Sequence, residues 1–240
     1  MTDTLPINNH KPYTYDFDDF MGDKDWTKMF TTKLMKTKTG NCHSLPYLYK
    51  ILCEEIGAKD HLTMAPNHVY IKHLDEKGEW INVELTNSGF PSDQWIIKQM
   101  GITVDAIKSE SYMHPLNQKE SIAMTMFDLA SGYEFQFGMD DFYLSAIDTA
   151  LRYYPNCIPL LMSKANYYSD RGIKEQAKLQ PNPTVLRILY IKQEVMYTKI
   201  DKLGYKDLPK ESYEEWVMMV ISLCLPMTMI ISSKEPFMQL

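Results

Sequence analysis

The stretch that decides how this chain is read is Gly-Asn-Cys-His-Ser-Leu-Pro-Tyr-Leu-Tyr-Lys-Ile-Leu-Cys-Glu-Glu-Ile-Gly, residues 40–57. Leu45, Leu48, Tyr49, Leu52, Cys53 and Ile56 recur at the spacing of one face of an amphipathic helix. Pro46 is tolerated only in a first turn, where its missing N–H is not needed, so the helix starts close to Cys42. Gly57 supplies the stop. Cys53 then lies on the buried face and Cys42 at the helix N-terminus. The helix dipole and free N–H groups there favour an anion, which lowers a thiol pKa. The same N–H groups can stabilise an oxyanion, with Asn41 as a further candidate donor.

Two strands follow within residues 61–85. His68–His73 and Trp80–Leu85 alternate in type, with Leu-Asp-Glu-Lys-Gly-Glu (74–79) as the turn between them. Pairing about Glu76 sets His68 opposite Glu84, Tyr70 opposite Asn82 and Lys72 opposite Trp80. Val69 and Ile71 then share the other face with Ile81, Val83 and Leu85. That face must be buried, and a one-residue slip would expose it. His68 and Glu84 therefore share a face, with Cβ atoms about 4.5–5.5 Å apart. His68 is placed to take the Cys42 proton, and Glu84 to hold the imidazole tautomer. Asn67, Trp80, Asn82 and the Thr86–Phe90 loop lie near this site by register and are candidate substrate contacts.

Outward from this centre, the first 25 or so residues are polar and aromatic with little periodicity, an arm lying on the domain. A short helix is expected over Asp25–Lys36, a helical stretch from Gln94, and a helix with a connector over 102–118. From Lys119 the chain reads as helical throughout. The pattern predicts an α+β domain over 1–118 and an all-α segment over 119–240. Leu129, Ala130 and Tyr133 lie on one helix, and Ala146, Ala150 and Leu151 on the next, closed by Pro155. Leu161, Ala165 and Tyr168 begin a third, followed by helices over Thr184–Leu203 and Ser212–Val220. Small residues at helix crossings with a terminal Pro fit a helix-turn-helix repeat of about 34 residues, or an irregular bundle.

Composition narrows the function classes. The 240 residues carry a net charge of −6, with 45% apolar and 23% charged residues, and no basic block marks a nucleic-acid or membrane-surface footprint. The N-terminus shows no signal peptide. Four scattered cysteines fit a reducing, cytoplasmic setting. Val217–Ile231 is almost continuously apolar, but its 15 residues fall short of the roughly 20 a membrane span needs. With Pro226 inside it, it reads as a buried terminal helix plus an irregular tail. His68 and His73 face opposite ways on one strand, which argues against a metal site built from them with His43, His61 and Cys42. Asp140-Asp141 reads as a helix cap. No phosphate loop, dinucleotide fingerprint or Gly-x-Ser-x-Gly elbow occurs, and no cofactor is expected.

Three blocks carry a family resemblance: Thr-Gly-Asn-Cys-His-Ser-Leu-Pro-Tyr-Leu-Tyr-Lys-Ile-Leu-Cys-Glu-Glu-Ile-Gly-Ala (39–58), Pro-Asn-His-Val-Tyr-Ile-Lys (66–72) and Gly-Glu-Trp-Ile-Asn-Val-Glu-Leu-Thr (78–86). Together they resemble the transglutaminase-like superfamily over about residues 35–100. The nearest subtype is the bacterial one in which such a domain precedes tetratricopeptide-like helices. The resemblance implies a papain-like core with Cys42 as nucleophile, His68 as base, Glu84 as third member and Trp80 at the family's strand tryptophan. It implies thiol acyl transfer or amide hydrolysis on a protein or peptide substrate. The acid is Glu where Asp is usual, His43 follows the nucleophile where an aromatic is common, and the Cys-to-His interval is short. Three readings follow: a cysteine hydrolase or acyltransferase; a scaffold of the same fold whose helical half binds a protein partner; and a structural domain with an incidental cysteine.

Overall fold

The computed structural model describes residues 12–206. It is a mixed α+β fold with eight α-helices and a small antiparallel sheet among those residues. The arm begins with β1 (Thr14–Tyr15), whose parallel partner is β2 (Thr39–Gly40), the two residues that lead into Cys42. Between them, the helix expected over 25–36 is split. A 3-10 turn, Trp26–Met29, is closed by the Asp25 carboxylate, and α1 (Thr31–Thr37) starts only after extended Phe30. Asp25 accepts from both the Thr27 amide and its hydroxyl, which favours the tighter turn.

The helix read from residues 40–57 is α2 (Ser44–Ile56). Pro46 sits in its first turn, and Gly57, at φ +71°, returns its N–H to the Cys53 and Glu54 carbonyls. Its buried face departs from the expected one. Leu45 and Cys53 are buried, but Leu52 and Ile56 are exposed, and Ser44, Pro46 and Tyr47 are covered instead. The cause is position. The first turn lies wholly inside the molecule, while the last turns run out to the surface.

The sheet has three strands rather than two: β3 (Asp60–Ala65), β4 (His68–Leu74) and β5 (Trp80–Val83). The additional strand is masked in the sequence because Leu62, Thr63, Met64 and Ala65 are all buried, so no alternation marks it. Its outer edge is covered by the chain at 113–116, where the Met113 and Leu116 amides bond the Met64 and Leu62 carbonyls. Asn67, at φ +54°, turns β3 into β4. The β4–β5 register is also corrected. Ile71 pairs with Val83, Lys72 with Asn82 and Leu74 with Trp80, two residues away from the expected pairing. The Asp75–Gly78 turn sets this: Asp75 Oδ1 accepts from the Lys77 and Glu79 amides, and Gly78 takes φ +80°. A slip of two residues preserves the faces, so His68 and Glu84 still share one, now as diagonal neighbours.

Two short helices follow, α3 (Asp93–Gln99) capped by Ser92 and α4 (Val104–Lys108) capped by Thr103. The helical half begins at α5 (Gln118–Phe137) with a reciprocal capping box between Asn117 and Glu120. Next come α6 (Asp141–Tyr153), capped by Asp140, α7 (Ile158–Gln176) and α8 (Pro183–Lys202), capped by Asn182. The core does not divide at residue 118: one cluster joins Leu62 and Ile71 of the sheet to Met124, Ile147, Leu160 and Ile200 of four helices. Burying each such side chain contributes about 1.5–3 kcal/mol, so sheet and helices stabilise each other. No helix of the described residues is long and apolar enough to cross a membrane. The expectations for Ser212–Val220 and Val217–Ile231 lie outside the described residues.

Candidate active site

Cys42, His68 and Glu84 converge. The β1–β2 pair delivers Cys42 to the start of α2, β4 carries His68, and the chain leaving β5 carries Glu84. All three are buried. His68 Nε2 lies 2.5 Å from Glu84 Oε2. With Nε2 committed to Glu84, the imidazole stands close enough to the Cys42 thiol to act on its ionisation. The ring is set by a near-parallel stack on Tyr70, two residues along the same face, with centroids 6.4 Å apart. Diagonal positions on a sheet stand about 7–8 Å apart, farther than directly opposed ones. The Glu84 side chain spans that gap to reach His68 Nε2.

Glu84 is itself held. Its Oε1 accepts from the Thr86 amide at 2.9 Å and from the Thr86 hydroxyl, and its backbone pairs both ways with Gly89. The Thr86–Phe90 loop, expected to touch substrate, thus serves at its Thr86 and Gly89 to aim the acid. Burial works against the charge on Glu84, but the charge and hydrogen bond of His68 and the Thr86 donors outweigh it and hold the carboxyl below its usual range. Burial likewise disfavours an imidazolium at His68, yet the Glu84 charge and the Cys42 bond hold it protonated to well above ordinary histidine pH. For Cys42, burial opposes ionisation. The His68 hydrogen bond and the charges of His43 and His68 overcome it and bring the thiol down.

Helix-start N–H groups contribute less than the sequence suggests. Asn41 is fully buried, and its Oδ1 accepts from the His43 and Ser44 amides and the Ser44 hydroxyl. Its Nδ2 faces the Phe20 carbonyl and Met29 Sδ. Asn41 therefore closes the helix start, and its amide is occupied rather than aimed at a substrate. Of the other expected contacts, Asn67 lines the cavity at Cys42. Asn82 does not: its amide bonds the Pro91 carbonyl and Asp93. Trp80 is half exposed and stands edge-on to His61, away from the cavity.

Cys42, His43 and His68 open onto a cavity of about 510 Å³. Met64 and Val69 of the sheet, Trp26 and Met29 of the 3-10 turn, Phe127 of α5 and Met162 of α7 give it largely apolar walls. Ser131, Glu134, Ser163 and Asn166 add polar groups farther along α5 and α7. Among the described residues no three His, Cys, Asp or Glu side chains gather to hold a metal ion.

A second polar group escaped the sequence reading. His43 Nδ1 lies 2.9 Å from Asp128 Oδ2 of α5, and the Tyr47 hydroxyl donates to the same oxygen at 2.5 Å. Its signal is Asp128 itself, an acid inside the apolar run Met-Thr-Met-Phe-Asp-Leu-Ala (124–130). Nothing in the sequence links that acid to His43, 85 residues away. No protein-family model matches the chain, and neither a curated protein nor a solved structure matches it.

Proposed function

We propose that the protein is a cysteine hydrolase or acyltransferase of the transglutaminase-like kind, acting on an amide or peptide bond through a thioacyl intermediate on Cys42. The observation that carries this reading is the buried Cys42–His68–Glu84 chain on the wall of an apolar cavity. A thiolate–imidazolium pair is both the nucleophile and the acid the reaction needs. The sulfur attacks the acyl carbon, forming C–S as the C–N bond breaks. The imidazolium gives its Nδ1 proton to the leaving amine. Water, or an acceptor amine, then attacks the thioester and passes its proton to neutral His68, and the thiolate leaves. Glu84 fixes the tautomer throughout and never takes the proton. The apolar walls suit an uncharged acyl group of a peptide. The free buried cysteines among the described residues, Cys42, Cys53 and Cys157, fit a reducing compartment such as the cytoplasm.

A scaffold role, in which tetratricopeptide-like helices bind a protein partner, is the second reading. It draws support from the exposed Ile188, Tyr190, Ile191 and Val195 on α8. One experiment separates the two. A p-nitrophenyl ester of an apolar acid should acylate Cys42, seen as the acyl mass on the Cys42 peptide and its loss with hydroxylamine. Cys42→Ser should abolish the adduct. Absence of any adduct on wild-type Cys42 would leave the scaffold reading.

A further inference from the structure

The His43–Asp128–Tyr47 group stands beside the nucleophile and takes no part in the Cys42–His68–Glu84 chain. Asp128 is 1% exposed, and its Oδ1 is buried without a hydrogen-bond partner. A buried carboxylate with a bare oxygen is costly unless a cation compensates it. Among the described residues His43 is the cation paired with it, at 2.9 Å. Tyr47, one turn along α2, donates to the same carboxylate oxygen as the His43 ring. Asp128 is in turn fixed by the Trp26 indole, which bonds its carbonyl at 2.8 Å. Close approach makes this possible: a Cβ on Gly132, one turn farther along α5, would fall 2.9 Å from Trp26. The His43 ring is 14% exposed and lines the cavity that holds Cys42.

We propose that His43, clamped by Asp128 of α5, is a second fixed cation beside the Cys42 sulfur, so that the helical half holds the nucleophile ionised. The inference rests on the reading of Cys42 as nucleophile. A second cation adds to what His68 does, because the Glu84 charge opposes the thiolate while the His43 charge favours it. His43 has its counter-ion in α5, and among the charges acting on the Cys42 thiol His43 favours the anion whereas Glu84 opposes it. The titratable groups about the pair are Cys42 and Tyr47 of α2 and its approach, His68 of β4, Glu84 after β5, Asp128 of α5 and Cys157 before α7. Burial alone would keep His43 neutral, but the Asp128 charge and bond lift it to about 9. Asp128 acts here as a positioning residue, through His43.

The test is the pH titration of the Cys42 thiolate by its ultraviolet absorbance, with Cys42→Ser as the blank, in wild type, Asp128→Asn and His43→Gln. The proposal expects both variants to move the midpoint up by about one pH unit, a tenfold lower thiolate-to-thiol ratio on the acid side. His43→Gln, at a partly exposed position, keeps the test readable where Asp128→Asn lowers folding yield. Asp128→Glu should restore part of the shift. A low wild-type midpoint left unchanged in folded variants overturns this inference alone and makes the pair purely structural. A wild-type midpoint at or above that of an ordinary thiol overturns both this inference and the proposed function.

Discussion

Two cysteines in this molecule occupy nearly the same local setting. Cys42 lies two residues before α2, and Cys157 is the N-cap of α7. Both are buried, yet the thiols diverge. Cys42 is drawn below its ordinary pKa, while Cys157 is pushed up to about 12 because burial far outweighs one backbone hydrogen bond from Leu160. The difference lies in the neighbours. Two imidazoles act on Cys42, those of His68 and His43, each with its own carboxylate. For Cys157 the charge that acts is that of Asp128, which opposes its ionisation. A helix start does not by itself activate a thiol inside a protein. The anion becomes favourable only when fixed positive groups replace the water that burial removes.

The strongest way to break this comparison is to remove the sulfur. Cys42→Ala should abolish covalent adduct formation, whereas Cys157→Ala should leave it intact, as read by intact mass. Next, His68→Ala should cut acylation by about 10²–10⁴-fold, the usual contribution of a positioned acid–base. Glu84→Asp probes the diagonal: the shorter arm falls short of His68 Nε2, and a misplacement near 1 Å costs up to about 10²-fold in acylation rate.

A pH–stability profile sharpens the electrostatic side. The folded-state pKa of His43 is raised to about 9, above the unfolded value near 6.5. Its stabilisation is therefore fully present below about pH 6.5 and lost as pH rises through 9. Asp128→Asn should flatten that part of the slope, by on the order of 2–3 kcal/mol at most, in chemical denaturation at pH 6.5 and 9. Cys42 contributes with the opposite sign: its pKa is lowered, so its contribution is lost as pH falls through the folded value. The smallest effect expected is that of Cys157→Ala on stability, about 1 kcal/mol from one lost buried group, with the Cys42 titration unmoved.

Much of this site was legible before any fold was known, and the reasons are local. Pro46 and Gly57 bracket α2 through backbone rules that tertiary structure seldom overrides. The shared face of His68 and Glu84 followed from the parity of Val69, Ile71 and Val83, and parity survives a two-residue slip. The register itself did not follow, because it is set by the Asp75 side chain closing the turn. β3 was hidden because both of its faces are buried. The outward position of Leu52 and Ile56 could not be read either, since the helical periodicity marks a face but not which turns of it are covered. Asn41 reads as a candidate oxyanion donor from its place beside Cys42, yet in the fold its Nδ2 is bonded to Phe20 and Met29 and its Oδ1 to the His43 and Ser44 amides. The His43–Asp128 contact was beyond reach in principle: each residue carries a weak local signal, and only the fold, which brings Asp128 of α5 to the start of α2, unites them.

The most direct test is competitive alkylation by iodoacetamide across pH, with peptides mapped so that each cysteine reports separately. The account predicts that Cys42 alkylates rapidly at pH 6, with Cys53 and Cys157 inert, and that His68→Ala removes the acid-side reactivity. Cys42 reacting at pH 6 no faster than a free model thiol, or no faster than Cys157, would contradict it.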